Sequence, residues 1–198
     1  KDGGKTWQKL GLEGESDFHS LASSHATNTV YLFNPHPNSR MKQSGIYYTR
    51  NDGLQWKRAA AQGLRGELNS LAVHPTDAGI VAAGTGQGLY LSRDAGESFE
   101  QLVGEMRVFA EAFDLDGQQL WFSTYAGEAG LVRVALKPGT ALETLSIPAL
   151  GEDAVAYIAQ NPVQRDEFAI ATFKRSVFVS EDRGRNWTQI ARDGATLP

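Results

Sequence analysis

One eight-residue pattern recurs along this chain and constrains its fold more than any other feature. It reads Ser/Thr-x-Asp-x-Gly-x-x-Trp, and its closing aromatic residues lie at positions 7, 56, 99 and 187, which are 49, 43 and 88 residues apart. Since 88 is twice 44, a repeat of about 44 residues runs through the chain, with one degenerate member near 134–145. The pattern, called the box below, is carried by Asp2, Gly4 and Trp7; by Thr49, Asn51, Gly53 and Trp56; by Ser92, Asp94, Gly96 and Phe99; and by Ser180, Asp182, Gly184 and Trp187.

Short apolar runs repeat with the same period as the box. Segments such as 70–75 and 157–162 begin a unit, and each leads through two further predicted strands to a box and a short fourth strand. Four strands in about 44 residues is the period of a β-propeller blade. The sequence therefore predicts an all-β propeller of four-stranded blades, a single domain with units at about 1–10, 17–60, 67–102, 107–145 and 154–190. Because the first box lacks its Ser or Thr, we expect these four and a half blades to be the later part of a larger propeller.

The box has a local physical explanation. An Asp or Asn side chain accepts hydrogen bonds from nearby backbone amides and stabilises a turn. The glycine supplies backbone freedom where a Cβ would clash, and the aromatic side chain anchors the turn through its large buried surface. We therefore assign the box residues a structural role.

These boxes resemble Asp-box, or BNR, repeats. Such repeats occur in sialidases, xyloglucanase-type glycoside hydrolases, sortilin-type receptors and photosystem assembly factors. The run from Lys1 to His19, together with residues 34–41, is similar to a family of exported bacterial proteins labelled "glycosylhydrolase". The resemblance implies a propeller fold and an extracytoplasmic, bacterial location. Since one fold supports many functions, it implies less about activity.

Composition excludes several classes of partner and chemistry. With a net charge of -4, the chain has no broad basic field for nucleic acid. It has no cysteine, which excludes disulfides and thiol catalysis, and no apolar run long enough to span a membrane. The four histidines lack metal-ligand spacing, so we expect no metal and no cofactor. The expected partner is a carbohydrate or a protein ligand.

In propellers of the resembled kind, ligands bind on the face opposite the boxes. That face is built from the loops that lead into each unit and the loops between second and third strands. The loop 34–45 is about seven residues longer than its counterpart at 84–88, and long loops in compact repeats are often functional. Exposed aromatic residues could stack on sugars, from a set comprising Tyr47, Tyr48, Trp121, Tyr125 and Phe173. The candidate ligand-binding residues are Glu15, His19, His36, Arg40, Lys42, Tyr125, Glu128, Lys174 and Arg175.

Glycoside hydrolysis requires a pair of carboxyl groups. Asp17 and Glu67 occupy equivalent positions in successive units, two residues before His19 and Asn69, and are the candidate catalytic pair. The Arg-Ile-Pro motif of sialidases is absent. No nucleophile elbow or phosphate-binding loop occurs either.

Three functions remain open from the sequence. The first is an exported module that binds a ligand or a protein and that includes carbohydrate among its candidate ligands. The second is a glycoside hydrolase of sialidase or xyloglucanase type. The third is an assembly factor for a membrane protein, for which Arg40, Lys42, Lys174 and Arg175 supply the basic side chains.

Overall fold

The structure, a computed structural model, describes residues 2–7, 9, 11–137 and 139–198. Positions 1, 8 and 10 of the predicted unit 1–10 lie outside the described residues, as does position 138 of the degenerate repeat. The predicted all-β class is confirmed, because every regular element of the described chain is a strand. None of the described residues belongs to a helix long and apolar enough to cross a membrane.

The strands form four antiparallel sheets in which chain neighbours are also hydrogen-bonded neighbours. Sheet I comprises β1 (Leu21–Ser24), β2 (Thr29–Asn34), β3 (Gly45–Thr49) and β4 (Lys57–Arg58). Sheet II comprises β5 (Leu68–Val73), β6 (Val81–Thr85), β7 (Gly88–Ser92) and β8 (Glu100–Gly104). Sheet III comprises β9 (Glu111–Phe113), β10 (Gln119–Tyr125), β11 (Ala129–Ala135) and β12 (Glu143–Leu145). Sheet IV comprises β13 (Val155–Gln160), β14 (Phe168–Thr172), β15 (Val177–Ser180), β16 (Thr188–Arg192) and β17 (Ala195–Thr196).

The four sheets stand side by side around their first strands. Strand β1 contacts β5, β5 contacts β9, and β9 contacts β13, as in a propeller. No element of sheet I contacts sheet IV in the described part of the chain, so the sheets do not close into a ring. The arrangement is an open, propeller-like arc.

Alternating side chains of each strand pack against opposite neighbouring sheets. On β10, Leu120 and Phe122 pack in the core with sheet II, while Trp121 belongs to the core with sheet IV. The Trp121 ring stacks on Phe168 with a centroid distance of 4.1 Å. All four side chains are fully buried. Such two-sided burial explains why strands of this chain read as apolar runs.

The boxes are tight turns between the third and fourth strands of sheets I, II and IV. In sheet II the Ser92 hydroxyl donates to Asp94 Oδ1 over 2.8 Å and accepts the Gly96 amide over 2.8 Å. Asp94 also accepts the Ser98 amide over 2.8 Å. The two central residues adopt left-handed backbone in each turn, with φ of 63° and 84° at Ala95 and Gly96.

The same hydrogen bonds recur in the other boxes. Ser180 and Asp182 are joined over 2.8 Å, and Asn51 replaces the aspartate in sheet I with a bond of 3.0 Å from Thr49. Asp2 accepts the Lys5 amide over 3.1 Å and the Thr6 hydroxyl over 2.6 Å. One local hydrogen-bond pattern therefore builds the turns of sheets I, II and IV, and the first box keeps the part that its aspartate makes.

Two boxes also join their sheet to the preceding one. A Cβ on Gly184 would lie 3.0 Å from the Trp121 ring of sheet III, and one on Gly96 would lie 3.0 Å from Ala59. The segment that follows sheet I pairs with the box of sheet II, because Gln62 accepts the Phe99 amide over 2.7 Å. These glycines are therefore required by close packing as well as by φ.

The aromatic residues of the boxes differ in burial. Phe99 is buried in the core between sheets I and II, whereas Trp56 and Trp187 are half-buried. Trp7 is 90% exposed and donates its indole N–H to the carbonyl of its own Gly4 over 3.0 Å. Anchoring by the aromatic residue therefore depends on whether a neighbouring sheet lies beside the turn.

Candidate functional site

The sheets have two unlike edges. The boxes lie at one edge, called the box edge. The loops that lead into the first strands and the connections between second and third strands lie at the other, called the groove edge. Antiparallel strand order places them so, because consecutive connections alternate between the two ends of a sheet. The sequence-predicted ligand-binding residues lie in segments of the groove edge.

A groove of about 370 Å³ lies where the first strands of the four sheets come together. Each sheet contributes residues at or near the start of its first strand, among them Leu21, Leu71, Phe109 and Tyr157. Phe173, from the connection after β14, also lines it and meets the Phe109 ring edge-on at 5.1 Å. The volume falls within the usual range of small-molecule sites.

The groove presents apolar side chains to solvent. Tyr157 is 72% exposed, Phe173 59% and Leu21 56%. Exposed apolar residues that converge on one concavity mark a binding site more often than isolated ones do. Of the aromatic side chains that the sequence offered for stacking, Tyr47, Tyr48 and Trp121 are buried.

One buried carboxyl group, Glu111 of β9, lies among the residues that line the groove. Its Oε2 accepts a hydrogen bond from the Ser70 hydroxyl, whereas its Oε1 is buried and has no partner among the described residues. Burial raises the pKa of Glu111 to about 7, against the opposing effect of the hydrogen bonds from Ser70 and the Gly84 amide. The group can therefore hold or release a proton near neutral pH.

Gly84 on β6 makes room for this carboxyl group. A Cβ at position 84 would lie 2.5 Å from both Glu111 Oε2 and Ser70 Oγ, and 2.9 Å from Val108. Any larger residue would displace the carboxyl group from its pocket. The glycine-rich run 84–88 thus has a packing role at its first residue, besides forming the short connection between β6 and β7.

The two predicted catalytic carboxylates are both exposed, in separate local surroundings. Asp17 Oδ2 lies 2.9 Å from His19 Nε2, and both side chains are 83% exposed. His19 lines the groove, so this pair stands at its rim. Glu67 precedes β5, and its carbonyl accepts the Gly86 amide over 3.0 Å.

The long connection 34–45 is fixed to the preceding loop by its own polar groups. Glu15 accepts the Ser39 amide over 2.7 Å and the Ser39 hydroxyl over 2.9 Å. These hydrogen bonds lower the pKa of Glu15. Arg40 donates to the Gly53 carbonyl over 2.7 Å, and Lys42 donates to the Ser39 carbonyl over 2.8 Å. Glu15, Arg40 and Lys42 thus organise the loop, while His36 is exposed.

The same connection covers one face of sheet I. Met41 is fully buried and packs with Leu32 and Tyr47, which face away from sheet II. Leu12 and Phe18 complete this cluster from the preceding loop. The extra length of the loop therefore shields apolar strand residues from water.

The remaining predicted ligand-binding residues lie on two other connections of the groove edge. Tyr125 is half-buried at the end of β10, with its ring 6.3 Å from Phe109, and Glu128 is exposed beside it. Lys174 and Arg175 are exposed between β14 and β15. The Lys174 amide donates to Asp153 Oδ1 over 3.1 Å. Across residues 2–7, 9, 11–137 and 139–198, no three His, Cys, Asp or Glu side chains converge to bind a metal ion.

Sequence reasoning missed Glu111 and Tyr157. A signal for Glu111 was present, because it is the one charged residue in the apolar run 108–113. A charge within a predicted first strand requires a partner or a function. Nothing in the sequence distinguished Tyr157 from the buried tyrosines.

Comparison with known proteins identifies the fold. No protein-family model matches the chain, and no curated protein sequence matches it. Among solved structures, it is similar to an ancestral GH74 enzyme, with a TM-score of 0.69 and 18% identity over 89% of this chain and 24% of that one. A GH74 enzyme of Niastella koreensis gives a TM-score of 0.65 and 14% identity over 87% of this chain and 29% of that one.

A third similar structure belongs to a different functional class. It is the extracellular domain of a protein described as a hybrid two-component system from B. thetaiotaomicron, with a TM-score of 0.63 and 15% identity over 91% of this chain and 23% of that one. The chain spans about a quarter of the length of these structures. At such identities the likeness shows a propeller-like fold alone.

Proposed function

We propose that this chain is part of an extracytoplasmic propeller of Asp-box blades that binds carbohydrate in the groove. The observation that carries the proposal is that exposed Tyr157 and Phe173 line the same groove as buried Glu111. Sugar rings present a face of C–H groups that packs on aromatic side chains, and their hydroxyls need polar partners. Similarity to GH74 enzymes supports a carbohydrate ligand, and similarity to an extracellular domain supports the extracytoplasmic location.

Glu111 has the chemistry to orient a sugar in this groove. Its Oε1 has no hydrogen-bond partner among the described residues, and a buried polar atom without a partner carries a free-energy cost. When protonated, the group can donate a hydrogen bond, and when ionised it can accept one from a sugar hydroxyl. Side-chain rotation toward the groove would satisfy this atom on ligand binding.

Calorimetric titration with neutral oligosaccharides of several linkages tests the proposal. We expect Tyr157→Ala and Phe173→Ala each to weaken binding by about tenfold or more, because each removes a stacking surface. Trp7→Ala is the matched control, since it removes a 90% exposed aromatic side chain that lines neither the groove nor any of its walls. Unchanged affinity in both groove variants, or no binding of any oligosaccharide, would overturn the proposal.

A glycoside hydrolase is the second candidate, and the raised pKa of Glu111 favours it. A general acid in this chemistry is a carboxyl group that stays protonated near neutral pH. Asp17 or Glu67 would then be the second carboxylate. Reducing-sugar release that disappears in Glu111→Gln, with oligosaccharide binding retained, would support hydrolysis. Loss of release in Asp17→Asn or in Glu67→Gln would show which of them is the second catalytic carboxylate. If the unaltered chain releases no sugar, hydrolysis by this chain is excluded.

A further inference from the structure

A second concavity lies at the groove edge, between sheets II and III. It is an open cleft of about 670 Å³. Its walls come from the segment before β5, the connection between β6 and β7, the segment after β8 and the end of β10. The residues that matter for its chemistry are Arg65, Gln87, Tyr90, Glu105, Arg107 and Tyr125.

Two exposed guanidinium groups of the cleft have no partner in the part of the chain that the structure describes. The side chains of Arg65 and Arg107 make no hydrogen bond and no ion pair with any residue that the structure describes. Elsewhere in sheet III, Arg133 binds both carboxylate oxygens of Glu143, at 2.6 and 2.7 Å. A guanidinium group matches a carboxylate in this two-pronged way, so two unpaired groups in one cleft favour an anionic ligand.

The walls of the cleft are held in place. Arg107 and Tyr125 exchange two backbone hydrogen bonds, of 3.0 and 2.9 Å, which fix their positions relative to each other. Gln101 donates to the Gln87 carbonyl and to the Tyr90 hydroxyl, each over 3.1 Å. A preorganised wall reduces the entropic cost of binding.

The charge and size of the cleft restrict the anion. Glu105 also lines it, so the lining groups sum to a single excess positive charge. That balance favours a ligand that places one carboxylate in the cleft over a ligand that places several negative charges there. The volume lies in the range of organic ligands, and tyrosine and glutamine side chains suit a polyhydroxylated one.

We propose that this cleft binds an acidic saccharide, with the carboxylate of the sugar held by Arg65 and Arg107. Phe109 links the cleft to the groove, because its ring lies 6.3 Å from Tyr125 and 5.1 Å from Phe173. The two concavities are therefore neighbours at the groove edge. The saccharide part of this inference rests on the proposed function, whereas the preference for an anion rests on the cleft alone.

Titration with trigalacturonate and with its methyl ester tests the inference. The two probes share their sugar rings and differ in charge. We expect the acid to bind more tightly than the ester. Arg65→Gln and Arg107→Gln should each weaken binding of the acid by about tenfold and leave the affinity for the ester unchanged. Arg185→Gln is the matched control, because it removes an exposed arginine at the box edge.

The outcomes separate the two proposals. Equal affinity for acid and ester, or acid binding that persists in both cleft variants, would overturn the anionic cleft, as would no binding of the acid. Two results together would support the anionic cleft and overturn carbohydrate binding in the groove. The first is binding of the acid that depends on Arg65 and Arg107, and the second is that no neutral oligosaccharide binds in a way that depends on Tyr157. Unchanged urea unfolding of the variants would exclude a loss of fold as the cause.

Discussion

The box edge and the groove edge are built from the same sheets and differ in regularity. At the box edge the boxes of sheets I, II and IV share one set of hydrogen bonds and a left-handed pair of residues, such as Ala95 and Gly96. At the groove edge the connection between β2 and β3 spans ten residues, whereas that between β6 and β7 spans two. Repetition at one edge therefore fixes the scaffold, and variation at the other supplies surfaces that can recognise ligands.

Two carboxyl groups show the same contrast in their proton affinity. Hydrogen bonds from the Asn186 side chain and amide, with further bonds from Ser180 and Arg185, lower the pKa of Asp182 to about 2. Burial raises that of Glu111 to about 7. A saturated set of donors stabilises the ionised form, while burial with few partners destabilises it. The first arrangement stabilises its turn, and the second leaves a carboxyl group that can hold a proton near neutral pH.

The largest expected effect is on the free energy of unfolding, and it differs between a buried and an exposed aromatic residue of the boxes. Phe99→Ala should lower the free energy of unfolding by about 3–5 kcal/mol, because it leaves a cavity between sheets I and II. Trp7→Ala should change it by less than about 0.5 kcal/mol, because the ring is exposed. Urea denaturation followed by circular dichroism measures both. Equal effects of the two substitutions would show that the box aromatic acts within its own turn.

The next effect concerns the pH dependence of Glu111. Its pKa is higher in the folded chain than the ordinary 4.5, so the folded state binds the proton more tightly and loses stability as pH rises from about 4.5 to about 7. That shift corresponds to about 3 kcal/mol. The difference in unfolding free energy between Glu111→Gln and the unaltered chain should therefore change by about 2–4 kcal/mol in favour of the variant from pH 4 to pH 8.

Urea denaturation at a series of pH values measures this difference. Glu128→Gln provides the control, because it removes an exposed carboxylate at the same edge. A constant difference between pH 4 and pH 8 would show that folding does not raise the pKa of Glu111.

The smallest effect has the opposite sign and belongs to the box edge. Because the folded pKa of Asp182 lies below the ordinary 3.8, its contribution to stability is complete above that pH and is lost as pH falls toward 2. Asp182→Asn should flatten this acid limb, because an amide does not titrate. The turn should persist, because the amide keeps one acceptor, as Asn51 does in sheet I. Acid titration followed by tryptophan fluorescence measures the change. Asp193→Asn, in the exposed hairpin between β16 and β17, removes a carboxylate outside the boxes and is the control.

The scaffold was more accessible to sequence reasoning than the site. The apolar runs at 168–172 and 177–180 coincide with β14 and β15, because a turn signal bounds each run and the determinants are local. The pocket that buries the Glu111 carboxyl group includes Ser70 and Gly84, which lie 41 and 27 residues away in sequence. Such burial follows from the packing of sheets II and III, and no spacing in the chain encodes it. Arg40 was predicted to bind a ligand, and its hydrogen bond to the Gly53 carbonyl depends equally on tertiary structure.

The pairing of Gln62 with Phe99 has a consequence for the order of assembly. The ribosome releases the amino-terminal part of a chain first. The segment that follows sheet I is therefore synthesised before the turn that it pairs with, and can act as a template when that turn emerges. Each new sheet then adds to a surface that already exists, and the loops that it must close are short. A chain organised in this way can grow by one unit at a time without exposing a large unpaired core.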